Sequence, residues 1–77
     1  MSPDKLTYMA NQIATFFASQ PEHEAVDGVA EHINKFWDPR MRVQLFEITD
    51  QGTDGFKPLV VAALEKINRP QKVGSAG

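Results

Sequence analysis

The sequence predicts an all-α protein: a compact bundle of about four short helices over residues 1–68, as one domain, with a disordered, flexible C-terminal tail over 69–77. Three observations carry this. Apolar residues recur at helical spacing in consecutive segments. Pro3, Pro21, Pro39 and Pro58 mark the segment starts, where a missing N–H costs a helix nothing. Only one short stretch is rich in strand formers, and a lone strand would have nothing to pair with.

Ser2 is suited to cap the first helix, with Pro3 as its first residue. Asp4 sits in the first turn, where the helix dipole favours a negative charge. Leu6, Met9, Ala10, Ile13, Phe16 and Phe17 form one apolar stripe. Pro21 ends this helix near Ser19 and is expected to begin the next. Glu22 and Glu24 load the positive end of the second helix. Its stripe is Val26, Val29, Ala30, Ile33, Phe36 and Trp37, and Phe36 reads as core. Gly28 interrupts it at a cost of about 1 kcal/mol against alanine, which implies a close helix–helix contact there.

Asp38 and Pro39 are expected to cap and start the third helix. Met41, Leu45 and Ile48 keep helical spacing, with Val43 and Phe46 beside them. Residues 43–49 are the stretch of strand formers, and they read as helix for the reason above. Residues 49–57, with Gly52 and Gly55, read as a loop. Pro58 opens the fourth helix, whose stripe is Leu59, Val60, Ala63, Leu64 and Ile67. Asn68, Arg69 and Pro70 end it, and residues 71–77 are small and polar. Connections this short fit only antiparallel or steeply crossed neighbours.

Composition excludes several classes. Hydrophobic residues make up 42% of the 77 and charged residues 23%, which rules out a wholly disordered chain. There is no cysteine, hence no disulfide, no thiolate metal site and no iron–sulfur ligation by this chain. Domains below roughly 70–80 residues lean on disulfides, metals or partners, so a partner is the support to expect. The net charge of −2 offers no basic excess for nucleic acid. A small helical DNA-binding regulator is disfavoured on the same ground. No apolar run approaches the 18 or so residues of a membrane helix. The N-terminus has Asp4 and no apolar stretch of the kind a signal peptide needs. The expected compartment is the cytoplasm.

No catalytic, cofactor-binding or metal-binding residue emerges. His23 and His32 lie nine residues apart on one helix, about half a turn out of phase, and cannot share a metal. Ser2, Ser19 and Ser75 have no base and acid arranged around them. Gly52 and Gly55 lack the Lys-Ser/Thr of a phosphate loop. Counted from Asp50, the twelfth position of a calcium loop is Val61, not Glu.

Two features point to a partner. Residues 6–20 contain no charge, whereas a solvated surface is usually about 25–35% charged. The face opposite the first stripe holds Thr7, Tyr8, Asn11, Gln12, Thr15 and Ser19. Tyr8, Asn11, Gln12 and Thr15 are therefore candidate interface residues. The second feature is residues 36–42, two aromatics, a helix break and two arginines. Trp and Arg are frequent hot spots, which makes Trp37, Arg40 and Arg42 candidates. Either arginine has alternatives: pairing with Asp38, pairing with a partner's carboxylates, stacking on Trp37, or plain solvation. Glu22, Glu24, Asp27 and Glu31 make the second helix acidic, as a solvated face or one that meets a basic partner surface.

These residues also carry a resemblance. Asp4-Lys5-Leu6, Met9-Ala10-Asn11-Gln12-Ile13 and Phe16-Phe17 form its first part. Ala30-Glu31-His32-Ile33 and Phe36-Trp37-Asp38-Pro39-Arg40-Met41-Arg42 follow, then Pro58-Leu59-Val60 and Ala63-Leu64. Together, over roughly residues 4–67, they resemble the small delta subunit of bacterial NAD-dependent formate dehydrogenases. The resemblance implies a non-catalytic accessory chain in a cytoplasmic complex that oxidises formate to carbon dioxide and reduces NAD. It implies an alpha subunit with a molybdenum or tungsten bis-pterin guanine dinucleotide cofactor as partner, and beta and gamma subunits with flavin (FMN) and NAD sites. Iron–sulfur clusters carry the electrons, and no cofactor is implied for the delta chain. The alternative is an assembly chaperone that aids insertion of the pterin cofactor and then leaves, with Arg40 and Arg42 on phosphates or guanine. In isolation, an uncovered apolar face is a candidate for pairing with a second copy.

Overall fold

The computed structural model describes residues 1–70. They form α1 (Pro3–Phe17), α2 (Glu22–Phe36), α3 (Pro39–Gln51) and α4 (Pro58–Ala63), closed by a 3-10 turn (Leu64–Lys66). No strand occurs among the described residues. The disordered tail expected over 69–77 falls, from residue 71 on, outside the described residues.

Local chemistry sets most boundaries. Ser2 caps α1, its hydroxyl oxygen accepting from the Lys5 N–H at 3.2 Å. Asp38 caps α3, its carboxylate accepting from the Met41 N–H at 2.9 Å. Pro21 caps α2 with extended backbone and stands just outside the helix instead of being its first residue. Residues 43–49 are helical, and α3 runs three residues into the expected loop. The fourth helix is shorter than its stripe: it tightens into the 3-10 turn, and Ile67 is extended. Ile67 reaches the core all the same.

The core is a seam of small and branched residues. Leu6, Ala10 and Ala14 of α1 face Val29, Ala30 and Ile33 of α2, with Leu45, Phe46, Phe56, Val60 and Ala63 completing it. α2 is the spine, packed against α1 and against α4. Gly28 is the expected close contact: the Phe17 ring lies over it.

Four aromatic positions differ from expectation. Phe36 is 66% exposed and Trp37 only 5%. α2 ends at Phe36, and Trp37, four residues after Ile33, stays in phase with the buried stripe. Phe36, seven residues after buried Val29 and so on the same side of α2, is left uncovered where the helix ends; its ring packs on His32 with centroids 4.8 Å apart. Phe16 is 75% exposed although it extends the apolar stripe. It stands two residues from buried Ala14, about 200° around the helix. Phe56, in the expected connector, is buried.

The last described residues are tied to the bundle. Arg69, at the expected start of the tail, makes a bidentate pair with Asp50 (2.9 and 3.2 Å). Its guanidinium also lies 4.2 Å over the Phe46 ring. The Asp50 carboxylate that hydrogen-bonds it raises the Arg69 pKa still further.

Candidate functional site

Two asparagines decide which side of the α1/α2 hairpin is covered. Asn11 Nδ2 donates to the Gly55 carbonyl at 2.9 Å, and its Oδ1 accepts from the Lys57 N–H at 2.8 Å. Asn34 Nδ2 donates to the Lys66 carbonyl at 3.0 Å, and its Oδ1 accepts from the Asn68 N–H at 2.7 Å. These side chains bracket the α4 segment at its entry and exit. Asparagine inside a helix is a poor helix former, and that was the available signal that these two amides work elsewhere.

The opposite side follows from helical phase. Ile13 is about 200° from Asn11 on α1, and His32 and Phe36 are each about 200° from Asn34 on α2. Phe17 on Gly28 fixes the antiparallel register. Equal rise along both helices then sets Ile13 level with His32 and Met9 level with Phe36. This side is an aromatic seam. Met9, Ile13 and Phe17 are half-buried along it, and Phe16 and Phe36 stand largely in solvent. Tyr8, 64% exposed, stands on the outer face of α1, about 100° around the helix from Met9. Gln12 Nε2 donates to the Tyr8 hydroxyl oxygen at 3.0 Å, so the two side chains form one uncharged surface unit.

The sequence-derived candidates divide between surface and scaffold. Tyr8, Gln12 and Thr15 face outward, Thr15 with its hydroxyl donating to the Asn11 carbonyl at 3.0 Å. Asn11 is held by the loop before α4. Trp37 is in the core, so its indole is not offered to a partner in this conformation. Arg42 faces inward: Nη1 donates to the Asn68 carbonyl at 2.7 Å and Nε to the Trp37 carbonyl at 3.4 Å. Arg40 is exposed. Among the described residues no three His, Asp or Glu side chains converge as a metal site. Periodicity missed Phe16 and Phe36 as surface residues, because both continue apolar stripes.

The acidic second helix is partly used internally. Lys66 donates to Asp27 at 2.6 Å, and that hydrogen bond lowers the Asp27 pKa. Glu24 and Glu31 are exposed on the outer edge of α2.

An open groove of about 540 Å³ lies on the other side, between the end of α1 and the starts of α2 and α4. Ala14, Ala18, Ala25, Pro58, Leu59 and Ala62 line it, with Glu22 and Lys57 among its polar residues. No helix among the described residues is long and apolar enough to cross a membrane.

No curated protein and no solved structure matches the chain. Residues 5–64, from the first turn of α1 into the closing 3-10 turn, match the family described as NADH-dependant formate dehydrogenase delta subunit FdsD. That span holds α2, nearly all of α1 and both bracketing asparagines, and the chain belongs to this family of formate dehydrogenase delta subunits.

Proposed function

We propose that the chain is a non-catalytic accessory subunit that docks on the catalytic alpha subunit of a cytoplasmic formate dehydrogenase and supports its assembly, stability or activity. The observation that carries this reading is the exposed aromatic seam on a delta-family chain. Tyr8 and Phe16, within the uncharged residues 6–20, and Phe36 on α2 expose large apolar surface on one hairpin. Aromatic enrichment with charge depletion is the composition of an interface core. In this reading the whole complex converts formate and NAD to carbon dioxide and NADH. The pterin-bound metal, the iron–sulfur clusters and the flavin are held by the other subunits; with no cysteine, this chain has no thiolate to offer a cluster.

The test is capture of the tagged chain from its native host, followed by assay of formate-dependent NAD reduction. The expected result is an active complex with one copy of the chain per alpha subunit. Phe16→Ser with Phe36→Ser is expected to abolish recovery while leaving the helical circular dichroism intact. Recovery of inactive, cofactor-poor alpha subunit alone would replace the accessory reading with the chaperone. Recovery of no formate dehydrogenase subunit would overturn both.

A further inference from the structure

We infer that residues 66–70 form a latch across α2 and α3, which opens as a unit while the helices stay folded and uncovers the Phe46 and Trp37 edge of the core. This inference stands apart from the docking reading and is tested on the chain by itself.

The latch ties two helices together. From α2, Asn34 holds both the Lys66 carbonyl and the Asn68 N–H, and Asp27 accepts from the Lys66 ammonium. From α3, Arg42, Phe46 and Asp50 follow at intervals of four and so share one stripe. All three meet the latch. Arg42 donates to the Asn68 carbonyl at 2.7 Å, and Asp50 accepts from both terminal nitrogens of Arg69. The Arg69 guanidinium in turn lies 4.2 Å from the Phe46 ring centroid. Arg42 also donates to the Trp37 carbonyl, so one guanidinium joins the latch to the corner between α2 and α3. Among the helices, α3 packs chiefly on α1, which leaves the latch as the second wall of its inner face.

The way the latch is held argues that it opens separately. Among the described residues, every hydrogen bond from the latch to α2 or α3 has a side chain at one end, and no backbone ladder joins them. Of its five side chains only that of Ile67 is buried. Its two ion pairs, Lys66 with Asp27 and Arg69 with Asp50, are more than half exposed. Few buried apolar contacts and solvent-exposed hydrogen bonds let a segment open more readily than its domain unfolds. What lies beneath is of the opposite kind. Phe46 and Trp37 are core residues, and Ile67 and Arg69 border one hollow with Phe46 and Thr49. Opening therefore changes how much aromatic surface the chain presents. Because exposed ion pairs help to close the latch, salt favours the open form.

The experiment follows amide exchange and acrylamide quenching of Trp37, the single tryptophan, in the full chain. Relative to intrinsic rates, the Asn68 N–H is expected to exchange at least about tenfold faster than that of buried Ile33. Its exchange should depend little on low urea, since a small opening exposes little surface. Arg69→Gln is expected to speed Asn68 exchange about fivefold, and 1 M salt to speed it in the wild type more than in this variant. Asn34→Ala with Arg69→Gln should raise Trp37 quenching about twofold with far-UV circular dichroism unchanged. Arg40→Gln removes the same charge from an exposed position of α3 and should change neither readout. Asn68 exchange at the Ile33 rate, with the same urea slope, would overturn the inference, because the segment would then open only with the whole domain. So would fast Asn68 exchange with Trp37 still shielded in the folded double variant, which is the fraying of an end and not the lifting of a cover. If the double variant loses its helices, the wild-type exchange rates and urea slopes decide by themselves.

Discussion

The ring of Phe17 occupies the space that a side chain at Gly28 would need: a Cβ placed there comes 2.6 Å from two ring carbons. This contact closes the α1/α2 hairpin and sets its register. It makes the sign of one substitution depend on its neighbour. Alanine inside a helix is favoured over glycine by about 1 kcal/mol, but overpacking costs about 1–3 kcal/mol. Gly28→Ala alone is therefore expected to be neutral to destabilising in urea denaturation. In a Phe17→Ala background the same change is expected to stabilise by about 1 kcal/mol. A double-mutant cycle with no coupling would contradict the contact.

The asparagine brackets predict a graded series. Asn34→Ala removes both hydrogen bonds to the C-terminal segment and is expected to cost about 1–2 kcal/mol. Asn34→Asp keeps an acceptor for the Asn68 N–H but loses the donor to Lys66, so its cost should fall between wild type and alanine. Amide exchange at Asn68 and Lys57 is the direct readout. Asn34→Ala should expose the first and Asn11→Ala the second.

The two arginines that the sequence treats alike are expected to separate. Arg42→Ala frees the carbonyls of Asn68 and Trp37 and should lower stability by about 1 kcal/mol. Arg40→Ala, at an exposed position, should stay within about 0.5 kcal/mol. Thermal melts of the two single variants settle this. Equal losses would mean that Arg42 does not hold the C-terminal segment.

Trp37 is expected to behave as core. Trp37→Ala should cost about 3–5 kcal/mol, enough to unfold much of a small domain. Its intrinsic fluorescence should be blue-shifted in the folded chain and move to the red on unfolding. Emission typical of exposed indole in the native state would contradict its burial.

The pair of Asp27 with Lys66 gives a direction for pH. Its hydrogen bond lowers the Asp27 pKa in the folded chain. The folded state therefore holds its proton less tightly than the unfolded state. The stability that follows is present above the usual aspartate range and is lost as pH falls through the lowered value. Asp27→Asn should flatten the acid limb of the stability profile, with little change near neutrality because the pair is exposed.

Much was legible in the sequence, because much is decided over a few residues. Ser2 with Pro3 and Asp38 with Pro39 start their helices through bonds to the next turn. The apolar spacing names the stripes, Gly28 marks the tightest contact, and the blocks from Asp4 to Leu64 point to the family. The sequence could not say which flank of each stripe is covered. That Trp37 turns in and Phe36 out, that Asn11 and Arg42 serve the scaffold, and that Phe16 stands in solvent all depend on where α4 and the C-terminal segment lie. Periodicity is a property of one helix, while coverage belongs to its neighbours. The exposed seam thus comes into being only when α4 packs on the other side of the hairpin.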